Sequence, residues 1–169
     1  MSERLRRIFS SPEFAVALFG FLLHFVWEFW QVPYYADMPD ISHWQGVRIC
    51  TMATIGDVVI VVTAFLAARL ATNSRRWILE KDRRGMVVFV LTGLGITIAA
   101  EWVFTDLLGR WAYADGMPVI PVLGTGLTPF LQWLILPFGI VLLSRPFLRG
   151  LHHDVPSSLP SQRRHPPHS

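Results

Sequence analysis

The chain has 169 residues, of which 52% are hydrophobic and only 16% are charged. About a quarter of the residues of a soluble domain are charged, so this composition excludes an ordinary water-soluble globule and favours a protein whose solvent is lipid. The net charge of +3 does not indicate nucleic-acid binding, because the basic residues form short clusters between apolar segments. Cys50 is the single cysteine, which excludes a disulfide framework and a cysteine-based metal site.

Four apolar segments are long enough to cross a bilayer, which takes about 20 helical residues. They cover residues 14–32, 47–70, 86–106 and 127–143. A basic stretch precedes the first segment, but no small-residue cleavage site follows it, so we interpret it as a retained helix and not a signal peptide. The predicted fold class is all-α, an integral membrane four-helix bundle over residues 14–151. It lies between a cytoplasmic N-terminal segment, 1–13, and a disordered cytoplasmic tail, 152–169, rich in Pro, Ser and His.

The basic residues predict the orientation of the bundle. Of the 15 Lys and Arg residues, 13 lie in the N-terminal segment, in the connection between the second and third spans, or after the fourth span. Only Arg48 and Arg110 belong to the other side. Basic connections remain in the cytoplasm, so both termini are predicted to be cytoplasmic. Arginine outnumbers lysine fourteen to one, a bias associated with GC-rich bacterial genomes, and the expected location is therefore a bacterial inner membrane.

The two connections on the non-cytoplasmic side share a short string. One reads YYADMPD from Tyr34 and the other reads AYADGMP from Ala112. Each follows a span in which a glutamate adjoins a tryptophan, Glu28 in the first case and Glu101 in the third span. A parallel duplication of two helices plus two helices would produce this match, and chance similarity over five residues is the alternative. A true duplication would relate Glu28 and Glu101 by a pseudo-two-fold axis along the membrane normal.

Each span carries one stripe of polar or small residues at helical spacing. The stripes are Gly20, His24, Glu28 and Gln31; Thr51, Thr54 and Asp57; Gly93, Thr97, Glu101 and Thr105; and Thr128 with Gln132. Ionisable side chains inside a bilayer are costly and normally face the bundle, so the stripes are expected to converge. At ~1.5 Å per residue, Glu28 and Glu101 lie roughly 6–8 Å below the outer interface, and Asp57 lies near the midplane.

This convergence predicts a functional pocket that opens to the outer side or to the outer leaflet of the membrane. The predicted catalytic residues are Glu28, Glu101, Asp57 and His24. The predicted substrate-binding residues are Trp27, Trp30, Trp102, Gln132, Trp133 and Tyr113. Structural alternatives exist for most of them: an aromatic belt at the headgroups, interhelical hydrogen bonds from Gln132, and a simple pairing of His24 with Glu28 one turn away. Asp106 and Arg110, four residues apart, are expected to form a local ion pair.

Acid–base chemistry on a lipophilic substrate is the function that these residue types favour. Carboxylic acids can add a proton to an alkene or epoxide, and aromatic faces stabilise the resulting cation, so isomerisation or cyclisation of an isoprenoid, sterol or carotenoid is the leading hypothesis. Quinone binding remains open, as does a metal site, with His24, Glu28 and Glu101 as the weak ligand candidates and Asp57 and His43 as further ones. No specific cofactor is indicated.

Two non-enzymatic functions remain as alternatives: a non-catalytic membrane assembly or binding subunit, and a small proton-coupled transporter. The expected partners are the lipid bilayer and a lipophilic small molecule, with a homo-oligomer or a membrane-protein partner as a further option. The sequence contains no phosphate-binding or nucleotide motif, because its glycine-rich strings lie in or beside apolar spans.

Overall fold

A computed structural model describes residues 3–36, 38 and 40–153. Residues 154–169, which make up nearly all of the predicted tail, lie outside this range, as do Asp37 and Pro39 of the first shared string. The regular elements of the described part are helical, in chain order α1 (Glu3–Phe9), α2 (Pro12–Gln31), α3 (His43–Thr72), α4 (Trp77–Glu80), α5 (Arg83–Trp102) and α6 (Leu127–His153). A 3-10 turn (Val32–Tyr34) extends α2, and a π-helical turn (Val103–Leu107) extends α5.

Four of these helices, α2, α3, α5 and α6, are long and apolar enough to cross a membrane. The prediction of an all-helical, multi-pass membrane protein is therefore confirmed. Each of the four also exposes large apolar side chains, such as Val26 (68% exposed), Val59 (62%), Leu91 (60%) and Leu142 (67%). Such residues would face water in a soluble bundle, whereas in a membrane they contact lipid chains at no cost.

Local capping explains where the long helices begin. Ser11 accepts a hydrogen bond from Phe14 N at the start of α2. Ser42 and Gln45 form a reciprocal capping box at the start of α3, which adds four residues before the predicted boundary at 47. Asp82 caps α5 by accepting from the backbone of Arg84 and Gly85. These caps satisfy backbone donors that the helix itself leaves unpaired.

The largest difference from the predicted boundaries is at the end of α6. This helix continues ten residues past the predicted end at 143, through Pro146, to His153. Ser144 is fully buried, and Arg145 Nε donates to Ile78 O at 2.7 Å. The apolar segment ends at these polar residues when hydropathy alone is used. Hydropathy contains no information about neighbouring helices, which bury Ser144 and accept the hydrogen bond of Arg145.

The four long helices form a ring. Helix α2 packs against α3 and α6, and α5 packs against the same two helices, which places α2 and α5 on a diagonal. At one end, Arg75 binds Glu13 through two hydrogen bonds of 2.7 and 2.6 Å and so joins the α3–α4 connection to the start of α2. We call this the basic end. The opposite end, which carries the connections 32–42 and 108–126, is the loop end.

Near the basic end the interior of the ring is apolar and aromatic. Phe65, Trp77, Phe89 and Ile140 are fully buried there. Helix α5 buries a residue at every fourth position, namely Gly85, Phe89, Gly93, Thr97 and Glu101. Gly85 lies against the ring of Trp77 and Gly93 lies against the ring of Trp133. The stripe predicted for this helix therefore does face the bundle, and its glycines are the places where tryptophans fit.

Candidate functional site

A cleft of about 840 Å³ lies at the loop end of the bundle. All four long helices and both loop-end connections contribute to its walls, which are mainly apolar and include Glu28, Asp57, Glu101 and Gln132. Ile49 and Met52 also line the cleft and are 48% and 66% exposed. The cleft therefore reaches the apolar side surface of the bundle, and its volume falls in the range of small-molecule sites.

The polar centre of this region is built around Gln132 of α6. Its Nε2 atom lies 2.7 Å from His24 Nδ1, 3.1 Å from Asp57 Oδ2 and 3.3 Å from Glu28 Oε1. One amide of α6 thus contacts side chains from two other helices, α2 and α3. Gln132 and His24 are almost completely buried, whereas Asp57 keeps 14% of its side chain exposed.

The side chains at the centre of this cluster lie within hydrogen-bond distance of one another. Gln132 Nε2, His24 Nδ1 and Asp57 Oδ2 form a nearly equilateral triangle with sides of 2.7, 3.1 and 3.1 Å. An imidazole that carries its hydrogen on Nδ1 can donate it to the carboxylate, and the amide has two hydrogens of its own to donate. The triangle therefore places a histidine in direct contact with a carboxylate.

These contacts replace one of the structural alternatives considered from the sequence. His24 does not pair with Glu28 one turn away, because its Nδ1 atom faces Asp57 and Gln132. Asp57 has specific partners as well, since it contacts both of those side chains. Glu28 instead accepts from Gln31 Nε2 at 2.7 Å, and its neighbouring acid across Gln132 is Asp57. The amide of Gln132 therefore lies between two acidic side chains that come from different helices.

Glu101 is held separately, on the diagonal helix. The hydroxyl of Tyr113 donates a short hydrogen bond to Glu101 Oε2 and accepts from Gly126 N at 2.9 Å. Burial raises the pKa of Tyr113 above its ordinary value, and its bond to Glu101 raises it further. Tyr113 therefore remains a neutral donor to Glu101, and it ties this acid to the loop that precedes α6.

The two loop-end connections pair with each other above the cleft. Ala36 N donates to Ala112 O and Ala114 N donates to Tyr34 O, both at 2.9 Å, which forms an antiparallel bridge centred on Tyr35 and Tyr113. These two tyrosines are equivalent positions of the shared string. Tyr35 and Ala112 line the cleft, so the paired strings form part of its roof. Burial, with the nearby acids Glu101 and Glu28, raises the pKa of Tyr35.

The predicted aromatic residues have different positions. Trp27, Trp30 and Tyr34 form a chain of ring contacts with centroid distances of 5.2 and 5.9 Å. Trp30 and Trp102 are more than half exposed, at 56% and 53%, a position typical of an aromatic belt. Trp133 is fully buried behind His24, with ring centroids 5.4 Å apart.

Three aromatic residues that were not selected from the sequence line the cleft, namely Tyr35, Phe104 and Trp111. Phe104 and Trp111 contact each other with ring centroids 4.8 Å apart, and both contribute to the wall. Phe104 precedes a predicted boundary and Trp111 lies in a connection, so helical periodicity gives no signal for either. Of the predicted substrate-binding residues, Gln132 belongs to the cleft lining.

Two arginines also line the cleft, Arg48 of α3 and Arg110 of the second loop-end connection. The expected ion pair between Asp106 and Arg110 is wrong, since these residues form no salt bridge and Asp106 instead accepts from Thr105 Oγ1 at 3.3 Å. The π-helical turn (Val103–Leu107) and the bend after it break the regular four-residue spacing that would bring the two side chains together. Among the described residues, neither arginine has a carboxylate partner within 4 Å.

The candidate metal ligands are not assembled into a site. Within residues 3–36, 38 and 40–153, no group of three His, Cys, Asp or Glu side chains is arranged to hold a metal ion. His24 is bonded within the triangle, while Glu101 is bonded to Tyr113 on another helix. No known protein family, curated protein or solved structure matches the chain.

Proposed function

We propose that this protein is a membrane-embedded enzyme that adds and removes protons at carbon atoms of a lipophilic substrate bound in the cleft. The observation that carries the proposal is the contact of His24 with Asp57 at 3.1 Å within the triangle that Gln132 completes, together with Glu28 on the wall of a mainly apolar cleft. General acids need a transferable proton within reach of the substrate, and a histidine in contact with a carboxylate can hold one where water is scarce.

The proposed reaction conserves atoms and electrons, so it needs no oxidant or reductant. A carboxylic acid O–H of the Glu28–Asp57 pair adds its proton to one carbon of a substrate double bond, which leaves a carbocation. Loss of a proton from a neighbouring carbon to a carboxylate then restores a double bond at a new position. Where a second double bond of the substrate first attacks the cation, its electron pair forms the carbon–carbon bond that closes a ring, and the same proton loss quenches the new cation. Glu101, held by Tyr113 on the diagonal helix, is the second acid–base group that such a reaction needs.

Two features of the cleft suit a cationic intermediate. The faces of Phe104 and Trp111 can stabilise positive charge by cation–π interaction, and both residues line the wall. The carboxylates provide negative charge from the other sides. A substrate of the isoprenoid, sterol, carotenoid or quinone type would enter sideways from the bilayer, past the exposed Ile49 and Met52.

The transporter alternative receives less support. A carrier must expose its site to both sides in turn, through groups that tolerate water. The interior between the cleft and the basic end is filled by fully buried Phe65, Trp77, Phe89 and Ile140. Opening a path there would require separating a packed aromatic core.

We also propose that the basic end faces the cytoplasm of a bacterium and that the cleft opens toward the opposite side of the inner membrane. The charge distribution supports this orientation. Single cysteines introduced by Ser74→Cys and Asp115→Cys, in a Cys50→Ser background, test it in intact cells. A membrane-impermeant maleimide should label only the Asp115→Cys protein, and labelling of Ser74→Cys alone would reverse the orientation.

The internal duplication is part of the same proposal. Its support is that Tyr35 and Tyr113, which are equivalent positions of the shared string, are also the two residues paired in the loop bridge. Helices α2 and α5 lie on a diagonal of the ring, as a two-fold axis along the membrane normal would require. Glu28 and Glu101 would then have diverged to different partners.

Deuterium exchange tests the enzymatic function even while the substrate is unidentified. The purified protein is incubated in D₂O with a lipid extract of its source membrane, returned to H₂O, and the lipids are analysed by mass spectrometry. Deuterium delivered to carbon survives the return, whereas deuterium on oxygen or nitrogen does not. We expect at least one lipid to gain stable mass with the wild-type protein, and a loss of roughly 10²-fold or more in rate for Glu28→Gln and Asp57→Asn.

Asp115→Asn is the matched control, because Asp115 is an exposed acid of a loop-end connection that does not line the cleft. It should exchange like the wild type. Far-UV circular dichroism in detergent must show that each variant is folded. The absence of carbon-bound deuterium with the folded wild-type protein, or equal rates in Glu28→Gln and the wild type, would overturn the proposal.

A further inference from the structure

The two arginines of the cleft are unusual for their side of the molecule. Of the 15 Lys and Arg residues of the chain, only Arg48 and Arg110 lie at the loop end by sequence. They come from different segments, 62 positions apart in the chain, yet both line the same cleft. Both side chains are exposed. Their coincidence at one opening therefore indicates a shared role.

Arg48 and Arg110 do not serve to neutralise the acids of the cleft. Glu28, Asp57 and Glu101 are bonded to Gln31, Gln132 and Tyr113, and no described carboxylate lies within 4 Å of either guanidinium. Arginine prefers planar, bidentate contacts with phosphate or carboxylate. Two guanidinium groups that have no carboxylate partner among the described residues, both on the wall of an apolar cleft, are suited to an anion attached to an apolar chain.

We propose that the ligand of this cleft is an amphiphile with an anionic head group, phosphate or carboxylate, held by Arg48 and Arg110, with its hydrocarbon chain in the cleft. Charge complementarity selects the head group, and the apolar walls select the chain. This inference rests on the proposed function for its substrate, and it adds the class of head group.

The spacing of these residues also places the reacting carbon. Arg48 and Asp57 lie on the same helix, nine residues apart, which corresponds to about 13 Å along its axis. The backbone of Asp57 is therefore deeper than that of Arg48 by more than two helical turns. A bound amphiphile would present an internal position of its chain to Asp57 and Glu28, rather than the carbon that carries the head group.

Binding of defined amphiphiles tests the proposal. Hexadecyl phosphate, hexadecanol and inorganic phosphate are the probes, and binding to the full-length protein in detergent micelles is measured by native mass spectrometry and equilibrium retention. We expect hexadecyl phosphate to bind at least tenfold more tightly than hexadecanol. Arg48→Gln and Arg110→Gln should each reduce this preference, and the double variant should bind both compounds equally.

Two controls separate the head group from the chain. Arg83→Gln removes an exposed arginine at the basic end and should leave every affinity unchanged. Gly56 lines the cleft, and a side chain there would meet nothing within 4 Å of its Cβ. Gly56→Phe should therefore fill the cleft without disturbing α3, and it should weaken both hexadecyl compounds at least tenfold.

The outcomes distinguish this inference from the proposed function. Equal affinity for hexadecyl phosphate and hexadecanol in the wild type, or an unchanged preference in the double arginine variant, would overturn the anionic head group. Inorganic phosphate that competes as strongly as hexadecyl phosphate would show a site for the free anion and overturn the role of the chain. Either result is compatible with deuterium transfer to a neutral lipid, so the exchange assay would stand or fail separately.

Discussion

Substitution of Gly93 by alanine should destabilise the bundle strongly. A Cβ atom at this position would overlap the Cζ3 and Cε3 atoms of Trp133 and lie 2.6 Å from Cη2. Carbon atoms in good contact are about 3.5–4.0 Å apart, so the ring would have to retreat by about 1 Å or more. Trp133 has no room to do so, because it is fully buried and packs on His24 and Phe89.

The expected magnitude follows from two opposing effects. Alanine favours the helix over glycine by up to ~1 kcal/mol, whereas overpacking of a closed core costs about 1–3 kcal/mol and sometimes more. Since the overlap here involves a rigid ring, we expect Gly93→Ala to lower the free energy of unfolding by about 3 kcal/mol. The displaced ring would also press on His24 and disturb its contacts with Asp57 and Gln132.

Gly95→Ala is the matched control in the same helix. Gly95 is exposed, and its added Cβ would meet nothing within 4 Å. Unfolding in detergent with increasing dodecyl sulfate, followed by circular dichroism, should give Gly95→Ala a stability within ~1 kcal/mol of the wild type.

The double variant Gly93→Ala with Trp133→Leu should lose less stability than the sum of its single variants, because leucine removes the clash. Equal stabilities of the two alanine variants, or strict additivity in the double variant, would refute the packing argument.

Three further predictions concern hydrogen bonds. Tyr113→Phe should lower stability by about 1–3 kcal/mol by unpairing Glu101. Since burial raises the pKa of Tyr113, this contribution to stability should be constant below pH 9 and fade only above the ordinary tyrosine pKa of about 10. A Tyr113 phenol that ionises at its ordinary pKa in a 295-nm titration would contradict this prediction. Gln132→Leu should cost about 2–3 kcal/mol because it leaves His24 and Asp57 without the amide, and unchanged detergent unfolding would show that the amide is dispensable. Arg75→Gln should cost at most ~1 kcal/mol, since its bonds to Glu13 lie at the surface, and the difference should shrink in 1 M salt.

Much of the helical architecture is predictable because the responsible signals are local. The length of an apolar segment identifies a membrane span independently of the other helices, and the four predicted spans correspond to α2, α3, α5 and α6. Four-residue spacing defines a helix face, and the predicted face with Gly93, Thr97 and Glu101 is buried. The end of α6 was missed because the burial of Ser144 and the bond of Arg145 depend on other helices.

The partners within the site could not be predicted in the same way. Spacing placed His24 and Glu28 on one face of α2, but only the ring order of the helices brings Gln132 and Asp57 to His24. The sequence does not distinguish the positions of Trp133 and Trp111. Trp133 nevertheless fills the core against Gly93, whereas Trp111 lines the cleft. The rotation of each helix about its own axis determines which side chains meet inside the bundle. The sequence alone does not specify that rotation.

The sequence by itself determined that this is a helical membrane protein with one polar stripe per span, because hydropathy and periodicity act within a segment. The tertiary structure alone decided that one amide collects two acids and a histidine, that Tyr113 holds the third acid, and that Arg48 and Arg110 line the same opening. Those contacts join residues far apart in the chain, and their geometry depends on how four helices pack around a common axis.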